Sequence, residues 1–256
     1  KPTILIVGFF YNLVDTLTSL SMIIIKKIDF LNIVFTLIIL CYNNSIHSQT
    51  EQDFYTIIDD VSSKRIEQDI TTLSNFGTRH TLSDTLSENR GIGAARRWIF
   101  NSFQGIASNC MGCIEVSYQK NYVKTDGKRI VKDVWINNVI AIQKGSRYPN
   151  RFIIMSGDID SRVSDPNNYT DDSPGANDNA SGMAGTLEAA RVLSKYSFEN
   201  SIIYAGLSGE EQGLFGGKGL ATYAKEKGWE IIGILNNDMI GNIKGVDGVI
   251  DNRTFR

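Results

Sequence analysis

Three runs of apolar residues set the rhythm of the second half of this chain: Phe152-Ile153-Ile154-Met155, Ser201-Ile202-Ile203-Tyr204-Ala205 and Ile231-Ile232-Gly233-Ile234-Leu235. Each has strand length and little alternation, the pattern of strands buried on both faces. Between them the apolar period lengthens to three and four. Met183, Leu187, Ala190 and Leu193 mark one helical face, and Leu214, Gly217, Ala221 and Ala224 mark another. Strand, helix, strand, helix, strand is an α/β order, and right-handed crossovers make that part of the sheet parallel. Upstream, helical spacing predicts a first helix with Phe54, Ile57, Ile58 and Val61 on one face, and a second carrying Ile66, Ile70 and Leu73. A third carries Ile92, Ala95, Ile99 and Phe103, with Arg96 and Arg97 expected to point to solvent. Ile114 to Tyr118 reads as a strand, and Arg129 to Ile142 as two strand-like pieces.

The polar residues that end the apolar runs are acidic. Asp158 and Asp160 follow the first run, Glu210 and Glu211 the second, and Asp238 the third. Asp178 sits in a turn-rich loop, Asp172 to Gly182, that leads into a helix. Open α/β sheets place their chemistry at the carboxyl ends of strands, so neighbouring strands would bring these groups to one edge. Unpaired carboxylates repel there by roughly 4 kcal/mol per pair at 4 Å and an effective dielectric of 20. Bound cations are the usual remedy. Turn chemistry alone accounts for the composition of the Asp172 to Gly182 loop, because Asn and Asp cap backbone groups and Gly supplies positive φ. Acidic positions at matching ends of successive elements shift the balance towards a site.

The 256 residues carry a formal net charge of −2, ordinary globular material with enough chain for one sizeable core. Lys and Arg are scattered without a basic stripe, so nucleic acid is not an expected partner. Lys26 and Lys27, the apolar run Phe30 to Cys41 and the small residues Ser45 to Ser48 follow the order of a signal peptide. Residues 22–48 are therefore expected to direct export to the periplasm or the outside, and residues 1–21 to be upstream or non-native sequence. The apolar run is shorter than the ~20 residues of a spanning helix, so no stable membrane span is expected. In an exported chain Cys110 and Cys113 are candidates for a local disulfide. His80, alone in a loop after α-helical sequence, is expected to be a hydrogen-bonded residue and not a ligand. Beginning at Lys1 and ending at Arg256 after a strand and a loop, the 49–256 domain is expected to be an excerpt.

Other motifs fail at a required residue. Gly206 to Glu210 lacks the last glycine of a nucleophile elbow, and Gly219 stands where a P-loop needs Ser or Thr. A calcium loop starting at Asp158 would have Val163 at its glycine position.

The segments Pro174-Gly175-Ala176-Asn177-Asp178-Asn179-Ala180-Ser181-Gly182 and Ser208-Gly209-Glu210-Glu211-Gln212-Gly213, with Asp238 after a strand, resemble the co-catalytic metallo-aminopeptidases of clan MH. That family includes secreted bacterial leucyl aminopeptidases and aminopeptidase Y. The resemblance implies a three-layer α/β/α fold with a mixed, largely parallel central sheet. It further implies that Asp178 bridges two divalent metal ions, that Glu211 and Asp238 each bind one, and that Glu210 is the general base. Asp160 matches the aspartate two residues beyond the family's first ligand, a catalytic position. The implied partner is a peptide or protein substrate with a free N-terminus, and the implied metal is zinc.

Two departures matter. Asp158 stands where the family has a histidine ligand, and oxygen-only ligation leans towards manganese, magnesium or calcium. The family's final histidine ligand would lie past Arg256. The competing readings are a catalytically inactive peptidase-like binding domain and a related carboxypeptidase or glutaminyl cyclase.

Overall fold

The computed structural model describes residues 51–245 and 247–250. The segment expected to be a signal peptide lies outside them. The chain divides into two units, residues 1–56 and 57–256, of which the second carries the fold. Helix α1, Glu51–Asp59, crosses that division. It forms as predicted, but Phe54, Ile58 and Val61 are exposed, so the expected buried face is not observed.

Helices α2, Ser63–Ser74, and α3, Gly91–Asn109, precede strands β1, Ile114–Val123, and β2, Val134–Gln143. Then come β3, Tyr148–Asp158, a π-helical turn Ala176–Ser181, α4, Gly182–Leu193, β4, Asn200–Leu207, α5, Phe215–Glu226, and β5, Glu230–Asn237. One five-stranded sheet results, in the order β1-β2-β4-β3-β5. Pairings of β3 with β4 and with β5 are parallel, whereas β1–β2 and β2–β4 are antiparallel. The sheet is mixed as expected, but its parallel part is confined to the last three strands of the order. Of the two strand-like pieces expected between Arg129 and Ile142, only β2 forms. The first is a turn in which Asp126 accepts the Lys128, Arg129 and Ile130 amides.

One apolar layer packs Leu73 of α2, Ile99 and Phe103 of α3, and Met183 and Leu187 of α4 against one face of the sheet. Full burial of side chains this size contributes about 1.5–3 kcal/mol each. On the opposite face Leu220 of α5 packs with Ile140, Phe152, Ile154 and Ile203. These are the three layers. Arg96 departs from expectation: it is only 8% exposed, with Tyr118 of β1 among its electrostatic neighbours.

The chain reverses direction at β3. From β3 it crosses through α4 to β4, then returns through α5 over β3 to β5. Consecutive right-handed crossovers in opposite directions put α4 and α5 on opposite faces and open a crevice at the carboxyl ends of the strands. Gly157, next to the end of β3, lets α4 start against the strand: a Cβ there would lie 2.6 Å from the backbone of Gly182 and Met183. β5 is the edge of the sheet. Its apolar run was expected to be buried on both faces, yet Ile232, Ile234 and Leu235 are exposed.

Candidate metal centre

Every acidic residue singled out from the sequence arrives at this crevice. Asp158 closes β3, Asp178 lies in the π-helical turn before α4, Glu210 and Glu211 follow β4, and Asp238 follows β5. Asp158 is 5% exposed. Burial, with Asp160 the main neighbouring charge, pushes its carboxyl up to about 8. Glu210 is pushed up to about 7, first by burial and then by Asp160, Glu211, Asp238 and Asp178. Asp238 is raised by burial and by Asp178. Burial also raises Glu211, against the opposing pull of Arg162. These mutual effects make the carboxylates one electrostatic cluster, lacking enough positive charge of its own.

Among the described residues no three His, Cys, Asp or Glu side chains converge on one point as they stand. Glu211 is turned to the Arg162 guanidinium, with which it forms a short ion pair. The donor set nonetheless fits divalent cations: several half-buried carboxylates whose protonation is favoured by crowding are groups that a cation would return to the ionised form.

Asp160 has a different part. Its Oδ1 accepts the Glu210 amide at 3.2 Å, and its Oδ2 accepts the Glu211 amide at 3.2 Å and the Thr81 hydroxyl at 3.0 Å. Both its oxygens are taken up by these donors, so it need not bond the Asp158 carboxylate. Asp160 is fully buried, and its pKa is raised by that burial against the pull of these hydrogen bonds.

Several residues that frame the site are not singled out by the sequence. Asn179 donates to Asp158 Oδ2 at 3.0 Å and to the Asn237 carbonyl at 2.9 Å, and its Oδ1 accepts the Gly182 and Met239 amides. It thus ties the ends of β3 and β5 to the start of α4. Arg79, fully buried, donates to the carbonyls of Leu73, Ile159, Pro174 and Gly175. It links the strand end bearing Asp158 and Asp160 to the turn bearing Asp178. Its guanidinium is pulled down to about 10 by desolvation, which the charges of Asp160 and Asp178 oppose. Asn138 on β2 accepts the Ser208 amide at 3.0 Å and donates to the Gly216 carbonyl at 2.9 Å, fixing the turn that carries Glu210. No local motif flags Arg79 or Asn138, whose partners at the site lie more than 50 residues away, whereas Asn179 lies within the Pro174 to Gly182 segment.

His80 is buried and hydrogen-bonded, with Nε2 2.9 Å from the Pro166 carbonyl and Nδ1 accepting the Leu82 amide. Cys110 and Cys113 form a disulfide across the turn after α3.

Fold and site together define an α/β protein with an acidic crevice at a topological switch point. Within that class, residues 138–250 match the model for peptidase family M28. A Pyrenophora teres f. teres protein described as a probable zinc metalloprotease is 45% identical over 200 residues, 78% of this chain and 41% of that protein. The chain spans less than half the length of such curated relatives. Among solved structures, the LapA aminopeptidase of Legionella pneumophila matches with a TM-score of 0.55 at 20% identity, over 73% of this chain and 45% of that one. A glutaminyl cyclase of Fimbriiglobus ruber matches with a TM-score of 0.52 at 20% identity, over 68% of this chain and 60% of that one. At these identities the structural likeness establishes the shared fold.

Proposed function

We propose that this chain carries the metal-binding half of a zinc-dependent exopeptidase, an aminopeptidase acting on peptides with a free N-terminus, and that the protein is exported. The reading is supported by the M28 match, by relatives named as zinc metalloproteases, and by the acidic crevice. Asp158, Asp178, Glu211 and Asp238 are the residues that would hold two metal ions, with Asp178 placed between the strand ends. When bound, such ions acidify a shared water and polarise the scissile carbonyl.

The rest belongs to the protein. Glu210 would take the proton from the water and return it to the leaving amine, as a carboxylate within hydrogen-bond reach of the reacting groups can. Asp160 holds the Glu210 and Glu211 amides and so fixes the direction of both side chains. Arg162, paired with Glu211 in this structure, would give up that carboxylate to a bound cation.

The observation that carries the proposal is the placement of Glu210. It adjoins a metal-binding position, lies among Asp178, Asp238 and Glu211, and its carboxyl is pushed up to about 7. In the full-length protein Glu210→Gln is expected to lower hydrolysis of leucyl peptides by about 10²–10⁴-fold, the usual contribution of a positioned base, with zinc content unchanged. A variant that still cleaves at the wild-type rate contradicts the assignment. Comparing free with blocked N-termini, and zinc with manganese, magnesium or calcium, tests the substrate and the metal.

A further inference from the structure

Beyond Asp160 the hydrogen bonds continue inward. Thr81 Oγ lies 3.0 Å from Asp160 Oδ2 and also contacts the Gln212 side-chain amide at short range. Gln212 in turn lies 3.0 Å from His80 Nε2. All four side chains are buried. A hydroxyl has one proton, and Thr81 spends it on the carboxylate. Gln212 must then give Thr81 an N–H and turn its Oε1 to His80. His80 carries its proton on Nε2, because its Nδ1 accepts the Leu82 amide, and that one N–H is shared between the Pro166 carbonyl at 2.9 Å and Gln212 at 3.0 Å. With that amide orientation Thr81, Gln212 and Asp160 each have a partner of the correct kind, and the His80 N–H is bifurcated.

Gln212 directly follows Glu210 and Glu211. The turn is therefore held at both ends, by Asp160 on its amides and by Gln212 reaching back to the loop of Thr81 and His80. We propose that Thr81 and Gln212 are positioning residues: with His80 they lock Asp160 and the Glu210-Glu211 turn in one geometry, which sets where the base and the adjacent metal-binding carboxylate point. The functional part of this proposal rests on the metallopeptidase reading above. The brace itself does not.

Two readouts in the full-length protein separate them. In the metal-free protein, Thr81→Val is expected to speed hydrogen exchange at the Glu210 and Glu211 amides. Its zinc affinity is expected to fall about 10–100-fold, the usual effect of losing a partner of a metal ligand. Thr81→Ser, which keeps the hydroxyl, restores both. Gln212→Met serves in its place where Thr81→Val does not fold, with the same two effects expected. Unchanged amide exchange overturns the brace even if the wild type binds zinc. Faster exchange with unaltered zinc affinity overturns the link from brace to metal site. A wild type that binds no zinc while its exchange still responds to Thr81→Val overturns the metallopeptidase reading and, with it, the functional part of the proposal.

Discussion

Asp158, Asp160, Glu210, Glu211 and Asp238 all have pKa values displaced upwards, first by burial, and this has a consequence for stability. Asp158, pushed up to about 8, and Glu210, pushed up to about 7, keep their protons in the folded chain at pH values where the unfolded chain has lost them. Their contribution is therefore fully present below about pH 4 and is lost as pH rises towards about 8. Asp84, Asp126, Asp133 and Glu188 have lowered pKa values and titrate below this window, whereas His80, lowered by burial, opposes the fall only up to its ordinary value of 6.5 and leaves the upper part of the window to the carboxyls. The thermal midpoint of the metal-free protein is expected to fall between about pH 5 and about pH 8. Asp158→Asn should flatten the fall, and saturating zinc should abolish it, since the ion binds the ionised form. A midpoint that rises over the same interval would show that the crevice is not desolvated as described.

At the scale of elements, the crevice depends on α4 starting hard against β3. Gly157→Ala would place a methyl carbon 2.6 Å from the backbone of Gly182 and Met183, which only a shift of the helix can relieve. The expected cost is about 1–3 kcal/mol, as for overpacking elsewhere, read as a lower urea midpoint. Unchanged stability would mean that helix and strand are not in this contact. Much of this level was legible in advance. Uninterrupted apolar runs announced β3 and β4, and three-and-four spacing announced α3 and α4, because local burial leaves a local period. What escaped was non-local. Arg79 and Thr81 matter through partners far along the chain, and nothing around them in sequence distinguishes them from loop residues. Arg96 misled because a charged residue beside a second arginine reads as a solvated face, and the helix is enclosed on more sides than its period suggests. Sites at strand ends were easier to find, since an apolar run that stops at a carboxylate marks both the strand and the group it delivers.

For the whole molecule the notable surface is the one beside β5. A groove of about 810 Å³ lies between α5 and the β3–β5 edge, lined by Leu214, Gly217, Leu220, Ala221, Trp229 and Ile231 among others. The apolar face expected for α5 lines this opening and does not pack on a further helix. Ile234 lines the same groove, and Ile232 and Leu235 are also exposed on this edge strand. Such edges template association. Residues 57–256 produced alone are expected to self-associate with rising concentration in light scattering, and Ile234→Lys should shift them towards monomer. Concentration-independent monomers would contradict this. The central claim, however, concerns metal. Zinc titrated into the metal-stripped full-length protein, followed by calorimetry and elemental analysis, is predicted to reach two ions per chain, with Asp178→Asn losing affinity for both. A wild-type protein that takes up no zinc, or an Asp178→Asn variant that binds as the wild type does, would contradict the account.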